Sequence, residues 1–275
     1  METFLTLFIT VIVFALGAAI GSFLNVVVYR LPAGLSLLYP PSRCPKCLHP
    51  LRARENVPVL GWLWLRGRCA HCKTKISARY PTVEAVTGLL FVLVFGLFGV
   101  SWQTIGYWTF FAWLVALALI DLDTMTLPDP LTQSGLVVGL AYQAIAGWQT
   151  TGSWVGAIQY LVGGVIGAVL GIWLLDGIAL VASVALGQTA MGAGDAKLAA
   201  MMGTWLGWKL LLLAGLLACG LGAVIGVGAI TLGLLRRRQA MPFGPFLALG
   251  AIAAALWGDR VLSFYFSLFT SNPGL

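Results

Sequence analysis

Long runs without a charged residue dominate the chain, and their lengths predict its elements. Residues 3–29, 85–120, 130–175, 210–235 and 239–258 carry no Asp, Glu, Lys or Arg. A transmembrane helix needs about 20 mostly apolar residues. The first run therefore holds one span. The second is too long for one helix and dips in hydropathy at residues 101–103, so it reads as two. The third dips at residues 147–153, giving one helix before the dip and one after it that runs toward residue 184. The last two runs hold one span each. Residues 196–208 are short for a span, but Lys209 beyond them can snorkel to the interface. The pattern predicts an all-α polytopic membrane protein of about eight transmembrane helices. Glycines recur every four residues at Gly17/Gly21, Gly163/Gly167/Gly171 and Gly222/Gly226. That spacing reads as close helix packing rather than chemistry.

Composition agrees. Of 275 residues, 60% are hydrophobic and 9% charged, against about 25% charged in a soluble domain. These values exclude a soluble globular domain, a disordered chain and a disulfide-rich secreted scaffold. The first helix opens Met1-Glu2 without a basic segment, and its apolar stretch is too long for a cleavable signal. We therefore expect it to stay as an anchor.

The basic residues give an orientation. Ten of the sixteen Lys and Arg fall in residues 30–81 beside a single acid, Glu55, and three more form Arg236-Arg237-Arg238. The positive-inside rule puts both clusters in the cytoplasm. Six helices lie between them, an even number, as two clusters on one face require. A nucleic-acid patch is the alternative reading of the basic loop; beside a bilayer it reads as a topology signal, and no nucleic-acid partner is expected. Contact with anionic lipid also suits it.

The same loop contains Cys44-Pro-Lys-Cys47 and Cys69-Ala-His-Cys72. Each C-x2-C turn aims two thiolates at one point, and two such turns make a closed tetrahedral zinc site. Four sulfur ligands leave no open position, so the metal is expected to be structural. Two disulfides are the alternative, and a reducing cytoplasm argues against them. His71 reads as solvated rather than as a ligand, and Cys219 as a packing residue within a span.

Only nine acids occur, and an acid near the bilayer needs a reason. Asp121 ends the third span, and Asp195 opens the sixth in Met191-Gly-Ala-Gly-Asp-Ala-Lys197. The topology brings both to the same cytoplasmic depth. Gly192 and Gly194 have no side chains, so a substrate or partner helix can approach the backbone there. Two facing carboxylates that share a proton are what an aspartic protease requires: one activates water, the other polarises the scissile carbonyl. The alternative is that each acid caps a helix or sits in interfacial water. Asp129, between two prolines, reads as a helix cap. Asp123 points away from Asp121 on a helix, and Glu84 suits a helix start.

Together these segments resemble the type IV prepilin peptidases, or prepilin leader peptidases. The resemblance rests on GSFLNVVVYRLP at the end of helix one, the CPKC…CAHC loop with ENVPVLGWLWLRGRC and ISARYPTVE, IDLDTMTLPDPLT at the end of the third helix, MGAGDAKL with its GxGD signature, and MPFGPFLALG in the tail. It implies an intramembrane aspartyl endopeptidase that removes a basic leader from type IV prepilins or type II secretion pseudopilins at the cytoplasmic face of the bacterial inner membrane. The implied catalytic pair is Asp121 and Asp195, and the family's cysteine tetrad falls on Cys44, Cys47, Cys69 and Cys72. Many members also methylate the new N-terminus with S-adenosylmethionine, for which no G-x-G-x-x-G or other donor-binding residues stand out here. The leader is basic, so acids such as Asp123 or Glu84 suit it better than the basic loop does. The expected organisation is a first transmembrane helix (1–29), a cytoplasmic zinc-binding loop (30–81) and a transmembrane peptidase domain (82–275). A proton-coupled transporter is the rival reading, and a zinc-bearing membrane scaffold a third.

Overall fold

Eight α-helices form the chain in a computed structural model that describes residues 2–187, 192–234 and 241–270. Met191 of the glycine-rich stretch and Arg236, Arg237 and Arg238 lie outside the described residues. The helices are α1 (Glu2–Arg30), α2 (Leu60–Trp64), α3 (Arg79–Phe98), α4 (Trp102–Thr124), α5 (Asp129–Thr151), α6 (Trp154–Leu186), α7 (Ala193–Thr231) and α8 (Gly244–Thr270). They fall into two compact units, Met1–Ala116 and Leu117–Leu275.

Among the described residues, six helices (α1, α3, α4, α6, α7 and α8) are long and apolar enough to cross a membrane. Their outer faces carry exposed side chains such as Phe4, Trp154, Trp173 and Val184, as lipid-facing helices require. Two features complete the predicted eight. Helix α5 is 23 residues long, and α7 is broken at Gly207, whose φ of 67° and ψ of 173° are not helical. Residues 193–206 and 208–231 are thus separate helical segments, corresponding to the predicted sixth and seventh spans. The polar dip at residues 147–153 covers the last turn of α5 and the two-residue turn, Gly152 and Ser153, that leads into α6. Gly152 ends α5 at φ 64°, and the Ser153 hydroxyl caps α6 by accepting from Gly156 N–H at 3.1 Å.

In the first unit, α1 crosses α3 through glycines. A Cβ on Gly17 would sit 2.8 Å from Gly88 Cα, and one on Gly21 would sit 2.8 Å from Glu84 Cα. At the end of α1, the Arg30 guanidinium donates to the carbonyls of Ser36 and Pro40 at 3.0 and 2.6 Å, which folds the start of the loop back onto the helix. The Asn25 amide donates to Tyr80 O.

The second unit is built around residues 193–206. Leu198, Met201, Met202 and Thr204 are fully buried there. Helices α6 and α7 meet backbone to backbone at Gly167 and Gly203, and Gly171 lies against Ala199 O. Two of the three glycines of the α6 stripe thus pack as expected. Gly163 faces open space, and its neighbour Gly164 is the close-packed member instead: a Cβ there would sit 3.2 Å from Thr204 O. Trp205 ties the segment to α5: its Nε1 donates to Gly135 O, and its own carbonyl accepts from Gln143 Nε2.

Candidate active site and metal centre

Among the described residues, Asp121 and Asp195 are the only buried charged side chains, 5% and 8% exposed. Both belong to the second unit. Asp121 occupies the last turn of α4 and Asp195 the first turn of α7. Burying an acid is costly and marks a functional position by default in a membrane protein. The two carboxylates are close enough for the charge on Asp121 to act on Asp195.

Their surroundings differ. Asp121 Oδ2 accepts a hydrogen bond from the backbone N–H of Gly244, the first residue of α8, at 2.8 Å. The local pattern explains why α8 starts there. Gly244 is followed by Pro245, which has no N–H, and the N–H groups of Phe246 and Leu247 both bond to Phe243 O. Asp195 is placed by the glycine-rich entry to α7. Its own N–H donates to Gly192 O at 3.1 Å. Gly194 is covered by Leu127, which would lie 3.1 Å from a Cβ there. Among the described residues, a Cβ on Gly192 would meet only Gly194 N, at 4.0 Å.

The remaining acids lie elsewhere. Asp123, Asp176 and Asp259 are exposed. Asp129 does not cap α5, whose N-cap is Pro128 and which has no side-chain cap. Its Oδ1 instead meets Lys197 Nζ, because Lys197 leaves the first turn of α7 two residues past Asp195. Glu84 is half-buried in the first unit and accepts from Val59 N–H at 2.6 Å, which anchors the start of α2 to α3.

The cysteine loop folds as two copies of one turn. Arg43 bridges Pro50, and Arg68 bridges Lys75. Within the turns, Cys44 N–H donates to His49 O and Cys69 N–H to Thr74 O, at 3.0 and 2.9 Å. Leu48 and Lys73, each just after the second cysteine of its pair, take φ of 57° and 58°. This matched geometry brings all four sulfurs within 4.8 Å of one another. Cys44 and Cys72 are 3.8 Å apart, Cys47 and Cys69 4.0 Å. Zn–S bonds of about 2.3 Å in a tetrahedron put sulfurs about 3.8 Å apart. The donor set and spacing therefore fit a metal ion, and all four are free cysteines rather than disulfides. The Cys47 backbone N–H pulls the Cys44 thiol down to about 6. On Cys47 the His49 N–H pulls downward, but burial and the three neighbouring thiols outweigh it and push the group up to about 11. His71 stacks on His49 with ring centroids 4.7 Å apart and stands outside the ligand group.

The geometry finds one residue to which the sequence reading gave no role: Gly244. Its signal was present in the MPFGPFLALG segment, where a glycine immediately before a proline opens a helix.

Known proteins give a consistent picture. Residues 15–98 match the bacterial peptidase A24 N-terminal domain, and residues 108–227 match the type IV leader peptidase family. A prepilin leader peptidase/N-methyltransferase of Aeromonas salmonicida is 39% identical over 93% of both chains. Those of Stutzerimonas stutzeri and Pseudomonas aeruginosa are 38% and 37% identical over 91% of both. No solved structure matches the chain. With this identity sustained over nearly its whole length, the chain belongs to the prepilin leader peptidase/N-methyltransferase family.

Proposed function

We propose that this chain is an aspartyl endopeptidase of the bacterial inner membrane that removes the leader from prepilins or pseudopilins and then methylates the new N-terminus. The observation that carries the peptidase reading is the burial of Asp121 and Asp195, alone among the described charged groups, at the ends of two helices of one unit. One carboxylate takes a proton from water as its oxygen attacks the scissile carbonyl carbon. The other, holding the shared proton, donates a hydrogen bond to the carbonyl oxygen. As the tetrahedral intermediate collapses, the C–N bond breaks and a proton passes to the leaving amine. The basic loop at residues 30–81 favours the cytoplasmic face for this chemistry, which is where a basic leader meets an apolar pilin helix.

Cys44, Cys47, Cys69 and Cys72 would hold a structural zinc, which supplies a staple for a loop with few buried apolar side chains. The methyl donor fits less well. One cleft in the first unit, about 370 Å³, is lined by Ser22, Phe23, Arg30 and Asn56 among others. S-adenosylmethionine carries an ammonium and ribose hydroxyls that call for an acid, and that lining has none. Arg30 is also committed to backbone carbonyls. We therefore derive no methyl-transfer step from this cleft. The methylation reading rests on the names of the relatives.

The test is to incubate the purified chain in detergent or liposomes with a precursor pilin and read both products by mass. Release of an intact leader is the expected result. An uncut precursor together with proton flux in liposomes would replace this reading with a transporter.

A further inference from the structure

The N-terminus of α8 is engaged with Asp121 in a way that cleavage by a carboxylate pair does not by itself require. Gly244 donates its N–H to Oδ2 at 2.8 Å. It is also the residue whose missing side chain makes the contact possible. A Cβ at 244 would lie 2.7 Å from Oδ2, 3.1 Å from Cγ and 3.2 Å from Cβ of Asp121. The other early N–H groups of α8 are either absent, at Pro245, or turned to Phe243 O. The first turn therefore aims a single donor at the carboxylate, with the positive end of the helix dipole behind it.

We propose that Gly244 is a positioning residue for the peptidase reaction: its N–H holds Oδ2 of Asp121 so that Oδ1 alone faces the water and Asp195. This rests on the reading of Asp121 and Asp195 as the protease pair. A backbone N–H can only donate, so the oxygen it meets is an acceptor. An ionised oxygen accepts more strongly than a protonated one, so this contact favours the shared proton on Oδ1 or on Asp195 over Oδ2. The glycine does two things at once, since only a residue without a Cβ brings its amide this close to the carboxylate.

Two measurements test this. Gly244→Ala keeps the N–H but drives a methyl group into Asp121. A misplacement of about 1 Å in a catalytic group costs on the order of 100-fold, so kcat per folded molecule should fall by about that much with KM little changed. Unchanged kcat, or a change confined to KM, overturns the proposal. The second measurement leaves position 244 intact, so it decides the matter even where the alanine variant does not fold. The chain has three Phe–Gly steps, Phe95-Gly96, Phe98-Gly99 and Phe243-Gly244. Labelling Phe with 13C′ and Gly with 15N thus yields three resolvable amide signals. Asp121→Ala should shift the Gly244 amide signal, and Asp195→Ala should leave it nearly in place. A signal indifferent to Asp121→Ala overturns the proposal. Full turnover by Asp121→Asn would defeat the carboxylate-pair reading itself. An inactive Asp121→Asn beside a fully active Gly244→Ala would defeat only the role of Gly244.

Discussion

Lys197 Nζ meets Asp129 Oδ1 at 2.5 Å, linking the first turn of α7 to the first turn of α5. Both side chains are about half exposed, at 49% and 51%. An ion pair this open to solvent contributes about 0–1 kcal/mol. Replacing Lys197 by Ala should therefore lower the thermal midpoint in detergent only slightly, and a Lys197/Asp129 double-mutant cycle should show a coupling below about 1 kcal/mol. A larger coupling would mean that the pair also orders the entry to α7.

Replacing Asp121 or Asp195 by Asn keeps shape and volume but removes titration. Each variant should lose cleavage by at least 10²–10⁴-fold, roughly the scale of acid–base catalysis, while remaining folded and membrane-inserted. Precursor cleavage in liposomes is the measurement. Normal turnover by either variant would remove that residue from the reaction.

The purified chain should contain one zinc per molecule, measured by elemental analysis. All four sulfurs must be thiolates to bind it, yet Cys47 is held up at about 11 without metal. Zinc binding should therefore release protons, and apparent affinity should weaken as pH falls. Proton release on titrating zinc into the apo-protein, followed with a pH indicator, gives the sign directly. Cys→Ser changes should cost loop stability more than peptide-bond cleavage.

Gly203 and Gly167 meet backbone to backbone. A side chain at either position must separate α6 from α7, and overpacking of this kind costs about 1–3 kcal/mol. Gly203→Val should lower the thermal midpoint in detergent. Gly163→Ala, which faces open space, should leave it nearly unchanged.

How much of this was legible in the sequence depended on the range of each interaction. The cysteine tetrad was plain because its geometry is local: each C-x2-C turn is closed by hydrogen bonds within six residues, such as Cys44 N–H to His49 O. Asp121 and Asp195 stood out because charge-free runs report depth, and few acids break those runs. Asp129 was misread as a cap because its partner, Lys197, comes from a distant helix start. The contact between Gly244 and Asp121 spans 123 residues and leaves no periodic trace. A glycine chosen for closeness to another helix looks in sequence like any other glycine. The same limit explains Gly163 and Gly164, where the four-residue spacing identified the stripe but not which member faces the neighbour.

The break at Gly207 has a consequence for the sidedness of everything after it. An unbroken α7 of 39 residues would run roughly 58 Å, about twice the thickness of a bilayer's hydrocarbon core. It would also count as one pass. Between Asp121 and Gly244 the chain would then cross three times, through α5, α6 and α7, and the two residues would emerge on opposite faces. They are hydrogen-bonded, so the number of passes between them must be even. One glycine at φ 67° supplies the fourth pass, and with it the parity that returns α8 to the face where Asp121 lies.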